Sequence, residues 1–257
     1  TFAPNVVTVF LAACATKVSI YILLRFDFFV FQPNLEGHDF QFAYFLMPLS
    51  LLAILVASAV AMFEPNLKRL LAWSSVAQIG YITLGASLVS VPGITAGLLH
   101  IFNHALAKGA LFLAVACLGI SVARMRIDTI RGIAQKMPWT MAAFLLAGFS
   151  LIGVPGTAGF ISKWYLITAT LRSGSLGIAL VAVIVISSLM AVVYIWRVVE
   201  AAYFKPLDPD STAVEAPLPL LLATWGAVLL NFYFGLRPDL PVTLATSAAQ
   251  MLHGQMQ

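Results

Sequence analysis

The chain has 257 residues, of which 61% are hydrophobic and 9% are charged, with a mean hydropathy of +0.97. Soluble domains carry about 25% charged residues, so this composition excludes a water-soluble protein and predicts an integral membrane protein. The net charge of +4 comes from basic residues scattered over short loops, which argues against nucleic-acid binding. The two cysteines, Cys14 and Cys117, lie in apolar segments and predict neither a disulfide nor a metal site.

Seven stretches are long and apolar enough to cross a bilayer as helices, at about 20 residues for a hydrocarbon core of roughly 30 Å. In chain order they are 5–24, 41–62, 67–88, 93–120, 138–171, 176–204 and 217–236. The predicted fold class is therefore an all-α integral membrane protein with seven transmembrane helices. Thr1 opens the chain without a charged region or a cleavage site, so we expect no signal peptide and a continuation of a longer protein.

The loops between these segments differ in positive charge. On one side lie eight basic residues: Lys68, Arg69, Arg124, Arg126, Arg131, Lys136, Arg197 and Lys205. The other side has three: Arg25, Arg172 and Arg237. The positive-inside rule places the richer side in the cytoplasm, and we expect a multi-pass protein of the bacterial inner membrane.

Three regions outside the spans carry weaker patterns. The stretch 128–137 is typical of a short amphipathic connector, with Pro138 in the first turn of the next helix. The polar loop 208–215 shows no evident chemistry. The tail 240–257 is only mildly amphipathic, and we expect it along the outer surface.

The fourth segment carries a polar stripe. Residues 98–113 read LLHIFNHALAKGALFL, so His100, His104 and Lys108 recur every four residues on nearly one helix face. Burying a lysine in hydrocarbon costs roughly 3 kcal/mol on insertion scales, so such groups normally serve a wet pathway. Zinc binding by the two histidines is disfavoured because no third ligand is plausibly positioned, and haem binding because haem usually takes its histidines from facing helices, whereas these two share one. A hydrogen-bonded core role is the alternative for either histidine, but Lys108 one turn further favours a proton relay.

Lys17 lies about twelve residues into the first segment, near the middle of the bilayer. Snorkelling to the interface is an alternative, but that reach covers only a few residues from a helix end. No Asp or Glu lies near it in sequence, and a buried lysine without a counter-charge readily releases its proton. We therefore expect Lys17 to take part in the relay, with a carboxylate partner outside this chain as a further option.

The fifth segment contains a break ahead of a third buried lysine. Residues 153–164 read GVPGTAGFISKW, with Pro155, Gly156 and Gly159 inside a segment too long for a simple span. Proline removes a backbone donor, and the glycines permit the helix to unwind. Broken helices at mid-membrane depth line cavities, which makes Lys163 an exit-side group of the relay. The alternative is a proline kink with Lys163 near the outer interface.

The third segment supplies weaker candidates. The sequence AWSSVAQIGY places Ser74, Ser75, Gln78 and Tyr81 at spacings of three and four. Most such groups are hydrogen-bonding contacts between packed helices. Ser75 and Tyr81 are the two that we expect to support a hydrated path.

Together these stretches resemble the antiporter-like subunit family, which comprises the proton-translocating membrane subunits of respiratory complex I, membrane-bound hydrogenases and Mrp-type Na⁺/H⁺ antiporters. The resemblance is carried by APNVVTVFLAACATKVSIYILLRF, NLKRLLAWSSVAQIGYITLG, LLHIFNHALAKGALFL, IRGIAQKMP and GVPGTAGFISKWYL. The phrases KRLLAWSSVAQIGY, HIFNHALAKGALFL and GFISKWYL look most like the D-type subunit of Mrp antiporters.

The resemblance implies relatives of fourteen helices, built from two inverted five-helix repeats that each contain a broken helix. Residues 1–26 would match the helix before the second repeat, residues 41–204 that repeat, and residues 217–257 the final helix and tail. Lys17 would match the central lysine of the family, and Lys163 the terminal charged residue on the broken helix. The relay between them is matched by His100, His104 and Lys108.

The function implied by the resemblance is that of a proton-conducting subunit of a multisubunit Na⁺(K⁺)/H⁺ antiporter, which is a transporter subunit rather than an enzyme and needs no cofactor. Protons would pass from Lys17 through the three stripe residues to Lys163. The partners would be other hydrophobic subunits, a missing N-terminal half, the lipid bilayer, H⁺ and Na⁺. One alternative is a pump subunit of respiratory complex I or a membrane hydrogenase, which would be part of an oxidoreductase. The other is a structural subunit without its own proton path.

Overall fold

Helices account for most of the residues that the structure describes. The structure is a computed structural model that describes residues 5–29, 43–209 and 211–254, and within these ranges only an isolated bridge between Asn66 and Arg126 has β character. The α-helices are α1 (Asn5–Phe10), α2 (Thr16–Phe29), α3 (Ala43–Phe63), α4 (Leu67–Ser87), α5 (Val91–Ser121), α6 (Pro138–Ile152), α7 (Ala158–Leu171), α8 (Gly177–Val199), α9 (Leu218–Leu236) and α10 (Asp239–Gly254). Two π-helical turns interrupt or extend them, at Leu11–Ala15 and Glu200–Phe204.

Five helical spans in the described residues are long and apolar enough to cross a membrane. They are Val7–Phe26, Tyr44–Phe63, Val91–Ser121, Gly174–Phe204 and Leu218–Leu236, and they confirm five of the seven predicted segments. The third predicted segment is a helix, α4, but its polar residues make it less apolar than the five spans. The fifth is divided into α6 and α7, of 15 and 14 residues, which are each too short to span alone.

The long helix α5 lies at the centre of the bundle. Its 31 residues rise about 46 Å, and α4, α6, α7, α9 and α10 all pack against it. Ser90 caps its first turn by accepting a hydrogen bond from the Gly93 N–H at 3.3 Å. Because neighbours cover α5 on several sides, polar groups on this helix are removed from lipid.

Glycines allow α4 and α5 to approach closely. A Cβ atom on Gly85 would lie 2.7 Å from the Gly93 carbonyl oxygen and 2.9 Å from the Gly97 nitrogen. A side chain at this crossing would collide with backbone atoms rather than with a movable side chain. This close contact brings the polar face of α4 against the polar stripe of α5.

The chain leaves the helical conformation between α6 and α7. Gly153 and Gly156 adopt φ values of 93° and 89°, in the left-handed region that glycine occupies without a steric penalty. Thr157 then begins α7, and its hydroxyl accepts the Phe160 N–H at 3.4 Å. The predicted helix break therefore lies at residues 153–157, although Gly159 itself is already inside α7.

One end of the bundle gathers the loops of the richer basic side. Three hydrogen bonds join them: Leu67 N–H to Met125 O, Gly132 N–H to Ala201 O, and the Arg197 guanidinium to Met62 O. The predicted connector contains two 3₁₀ turns, Ile127–Ile130 and Ile133–Gln135, with Ile130 and Ile133 buried against the bundle and Arg131 and Lys136 exposed. Pro138 begins α6, as predicted.

The loop that showed no evident chemistry has a structural role. The Glu215 carboxylate accepts hydrogen bonds from the Trp139 N–H at 2.9 Å, the Thr140 N–H at 3.4 Å and the Thr140 hydroxyl at 2.5 Å. A negative charge at a helix N-terminus satisfies unpaired donors and complements the helix dipole. The tail likewise forms a helix, α10, with Ala245 and Ala249 buried against the bundle.

We expect Gly85→Ala to lower the free energy of unfolding by about 1–3 kcal/mol, because the added methyl group meets backbone atoms of α5. Gly226→Ala is the matched control, since nothing lies within 4 Å of its added methyl group. Alanine is the better helix former, so the control is expected to be neutral or slightly stabilising. Thermal unfolding in detergent compares the two, and equal melting temperatures would contradict the crossing described above.

Candidate functional site

The polar stripe of α5 is buried inside the bundle. His100 and His104 are each 2% exposed, and Lys108 is fully buried. Polar atoms in such surroundings need partners from neighbouring helices. His100 and Lys108 find such partners on α4 and α7, whereas His104 has none among the described residues.

His100 joins three helices. Its Nε2 atom lies 2.9 Å from Gln78 Oε1 of α4, and its Nδ1 atom lies 2.8 Å from Ser162 Oγ of α7. Both ring nitrogens are therefore hydrogen-bonded, and the ring is held in one orientation. Because Gln78 Oε1 only accepts hydrogen bonds, the neutral ring carries its proton on Nε2, and Nδ1 accepts from the Ser162 hydroxyl.

His104 stacks beside His100 one turn further along α5. The two ring centroids are 6.0 Å apart, and the rings are inclined by 11°. Neither ring nitrogen of His104 has a hydrogen-bond partner among the described residues, although both atoms are buried. Lys17, Lys108 and Lys163 all lie within electrostatic reach of this ring. His104 is thus a buried ring of the stripe on which all three lysines act electrostatically.

Lys108 is bound by α4. Its ammonium group donates to the Leu71 carbonyl at 2.7 Å and to Ser74 Oγ at 2.5 Å. The ring of Phe112, one turn further along α5, has its centroid 6.0 Å from Lys108 Nζ. The described partners of this fully buried amine are therefore a carbonyl, a hydroxyl and an aromatic face.

The Lys163 side chain extends from α7 across the helix break to the end of α6. Its ammonium group donates to the Leu151 and Ile152 carbonyls at 3.1 and 2.9 Å, and to Ser188 Oγ of α8 at 3.0 Å. The last carbonyls of a helix have no intrahelical partner, and the helix dipole makes that end favourable for a cation. The break thus creates the site that holds Lys163.

Tyr81 connects Lys163 with His100. Its ring centroid lies 5.0 Å from Lys163 Nζ and 5.5 Å from the His100 ring, which it meets edge-on. Its hydroxyl donates to the Ile184 carbonyl at 3.4 Å. Lys163 therefore lies beside His100, whereas Lys108 is two helical turns further along α5.

Lys17 is 6% exposed and follows the first π turn. The Thr16 N–H bonds to the Leu11 carbonyl across this turn, which leaves the Ala12 carbonyl for side chains. The Lys17 ammonium group donates to that Ala12 carbonyl and to Thr16 Oγ1. Its burial does not fit the snorkelling alternative.

The Ser75 hydroxyl donates to the Leu71 carbonyl of its own helix at 3.0 Å and not to a neighbouring helix. Its side chain instead faces a surface groove of about 320 Å³ between the first π turn and α4, which Thr16 also lines. Of the two weaker candidates, only Tyr81 contacts a buried lysine and a histidine of the stripe, Lys163 and His100.

The ion pairs in the described part of the chain involve none of the three buried lysines. They are Arg69–Glu64, Arg126–Asp128 and Lys205–Glu200. Buried charges are usually paired with opposite charges, so three amines held by carbonyls and hydroxyls are unusual. Such an amine keeps N–H donors for these acceptors whether or not it carries the extra proton.

Sequence reasoning missed several partners. Ser162 and Ser188 bind His100 and Lys163, and the Asn103 amide donates to the Ala158 carbonyl at 2.6 Å. Asn103 stands within the polar stripe, three residues after His100, so its spacing was a usable signal. Ser188 carried no local signal, because it lies in an apolar segment whose packing is set by the fold.

The comparison with protein families agrees with this arrangement. A family model described as "NADH:quinone oxidoreductase/Mrp antiporter, TM" matches residues 1–191. The chain belongs to this family. The matched region contains all five predicted relay residues and ends within α8, before α9 and α10.

A curated relative is the NADH-quinone oxidoreductase subunit N of Desulforudis audaxviator, which is 41% identical over 224 residues. The match covers 85% of this chain and 43% of the relative. The chain spans about half the length of the curated relatives it matches. Because this relative is an oxidoreductase subunit, the D-type Mrp assignment is not confirmed.

Two solved structures share the fold. The Mrp complex from Dietzia sp. DQ12-45-1b matches with a TM-score of 0.87 and 24% identity, over 97% of this chain and 54% of that one. The membrane-bound sulfane sulfur reductase, an archaeal respiratory membrane complex, matches with a TM-score of 0.84 and 26% identity, over 99% of this chain and 52% of that one. Antiporter and respiratory assemblies therefore both contain this arrangement of helices.

We expect Gln78→Leu to lower stability by about 1–3 kcal/mol, because it leaves a buried ring nitrogen of His100 without its partner. The same change should cost much less in a His100→Phe background, where no ring nitrogen remains to be satisfied. Thermal unfolding of the two single variants and the double variant measures this coupling. Additive effects would show that the contact between Gln78 and His100 is energetically unimportant.

Proposed function

We propose that this chain is a proton-translocating subunit of a multisubunit membrane complex. The observation that carries the proposal is the set of three buried lysines, Lys17, Lys108 and Lys163, whose described contacts include no carboxylate. Protonated amines without counter-charges repel each other and release protons readily. The histidine pair and Tyr81 lie between them, which supports a relay rather than three isolated sites.

The contacts support a revised order for the relay. Lys108 lies one turn from His104 on α5, the π turn that precedes Lys17 packs against the same helix, and His100 follows His104 one turn away. Lys163 follows His100 in this order, and Tyr81 and Ser162 connect the two. In this order, protonation of one lysine raises the free energy of the protonated form of the next. Proton uptake at one end therefore favours proton release at the other.

The assembly that best fits the relatives is a respiratory one. A relative that is 41% identical is a subunit of NADH-quinone oxidoreductase, and a structural neighbour that is 26% identical belongs to a respiratory membrane complex. In such an assembly redox chemistry in other subunits drives the protons, and this chain binds no cofactor. Its partners would be other hydrophobic subunits of a bacterial inner membrane, with the basic loops facing the cytoplasm.

A membrane topology of seven spans completes this proposal. Beyond the five apolar spans, α4 would cross as a polar helix shielded by its neighbours, and α6 and α7 would cross together as one broken helix. The five-helix repeat would then extend over 41–204. Na⁺(K⁺)/H⁺ exchange remains the second candidate, favoured by the Mrp antiporters in the description of the family.

Proton flux in vesicles that contain the complete assembly tests the role of the stripe. We expect Lys108→Ala to reduce flux by at least about tenfold, because a general acid–base group is lost from the path. Lys136→Ala, on the exposed connector, is the matched control and should retain full flux. Native gels check assembly; normal assembly with normal flux in Lys108→Ala would favour a structural role for this lysine.

The driving force for proton movement distinguishes a respiratory assembly from a Na⁺(K⁺)/H⁺ antiporter. In the same vesicles we expect a reduced electron donor with quinone to drive proton movement at an unchanged rate in Na⁺-free medium. A Na⁺ gradient alone should then drive no proton flux. If the Na⁺ gradient drives proton flux and the electron donor does not, the antiporter candidate replaces the respiratory one.

A further inference from the structure

The final span reaches the helix break of the relay. Helix α9 packs against α5, α6 and α7, and it lies beyond the residues that the family model matches. Two of its residues one turn apart, Asn231 and Gly235, contact the chain on either side of the break. No motif in the sequence drew attention to either of them.

Asn231 ends a chain of hydrogen bonds that starts at the break. The Gly159 N–H, in the first turn of α7, donates to Ser150 Oγ at 3.1 Å. The Ser150 hydroxyl, in the last turn of α6, donates in turn to Asn231 Oδ1 at 2.8 Å. Asn231 is fully buried and Ser150 is 2% exposed, so losing either partner would leave an unpaired polar group in the interior.

Gly235 makes the second contact. A Cβ atom at this position would lie 2.3 Å from the Gly156 carbonyl oxygen, so the backbones of α9 and the break touch directly. At Gly159 the fit is tighter still, since a Cβ atom there would lie 1.8 Å from the Ser150 carbonyl oxygen. These contacts fix the end of α6, the break and the start of α7 relative to one another.

The same helix ends hold Lys163. Its carbonyl partners, Leu151 and Ile152, directly follow Ser150, and Lys163 itself lies one turn after Gly159. The bond between Ser150 and Gly159 therefore sets the distance that the lysine side chain has to span. If α6 and α7 moved slightly apart at this point, the Lys163 amine would move away from its carbonyl acceptors.

We propose that Asn231 is a positioning residue for proton transfer at Lys163. With Gly235 it clamps the break from α9, so that the amine keeps its contacts with the end of α6 while protons pass. This inference rests on the proposed relay function of Lys163. It assigns to α9 a role in proton transfer, although α9 contributes no titratable group to the relay.

Two measurements on the complete assembly test the clamp. Hydrogen exchange of peptides covering 150–160 reports on the break directly, and proton flux as a function of pH reports on Lys163. For Asn231→Leu we expect roughly tenfold faster exchange in this region and a roughly tenfold lower flux. We also expect half-maximal flux at lower pH, because loosened carbonyl contacts stabilise the protonated amine less. Gly226→Ala, on the same helix, is the control and should change none of these quantities.

Two further variants, Ser150→Ala and the double variant, test the clamp in case Asn231→Leu misfolds. Ser150→Ala should reproduce the same pH shift, and the double variant should be no worse than either single one, because both act through one chain of bonds. Unchanged exchange at 150–160 would overturn the clamp. Faster exchange with an unchanged pH profile would overturn the positioning role.

Failure of the relay proposal has a different signature. If Lys163→Gln leaves flux unchanged in assemblies that form normally, the relay function of Lys163 is wrong. The positioning role then falls with it, while the exchange measurement still decides whether α9 clamps the break.

Discussion

The buried lysines impose the constraint on which the rest of the structure depends. An ammonium group in an apolar interior needs partners, and a carboxylate would form an ion pair that holds its proton strongly. Lys108 and Lys163 instead donate to backbone carbonyls and hydroxyls. A neutral amine still has N–H groups for these acceptors, so a proton can leave without the loss of every contact.

Lys163 and Lys17 bind carbonyls at places where a helix departs from its regular hydrogen bonding. The end of α6 provides two such carbonyls for Lys163, and the π turn before Lys17 provides one at Ala12. These irregularities would be unfavourable next to lipid, where no water can satisfy the backbone. The end of α6 is covered by α5, α7 and α9, whereas the π turn, none of whose residues is fully buried, packs against α5.

Part of the candidate site could be predicted from local sequence. The four-residue spacing of His100, His104 and Lys108 placed them on one helix face, and Pro155 with its neighbouring glycines marked the break. Ser188 and Asn231 could not be predicted in this way, because a single polar residue in an apolar span becomes meaningful only through what packs against it. The surroundings of Lys163 were also beyond the sequence, since the Tyr81 ring beside Lys163 also contacts His100 of α5.

The sequence by itself determined that the chain is helical and membrane-embedded, and it located the basic loops, the buried lysines and the helix break. These properties depend on hydropathy, charge and backbone preferences, which act over one segment at a time. Only the tertiary structure decided that Glu215 caps α6, that glycines let α4 meet α5, and that α9 reaches the break through Asn231. Such contacts join residues far apart in the chain, and their geometry is set by how the helices pack against one another.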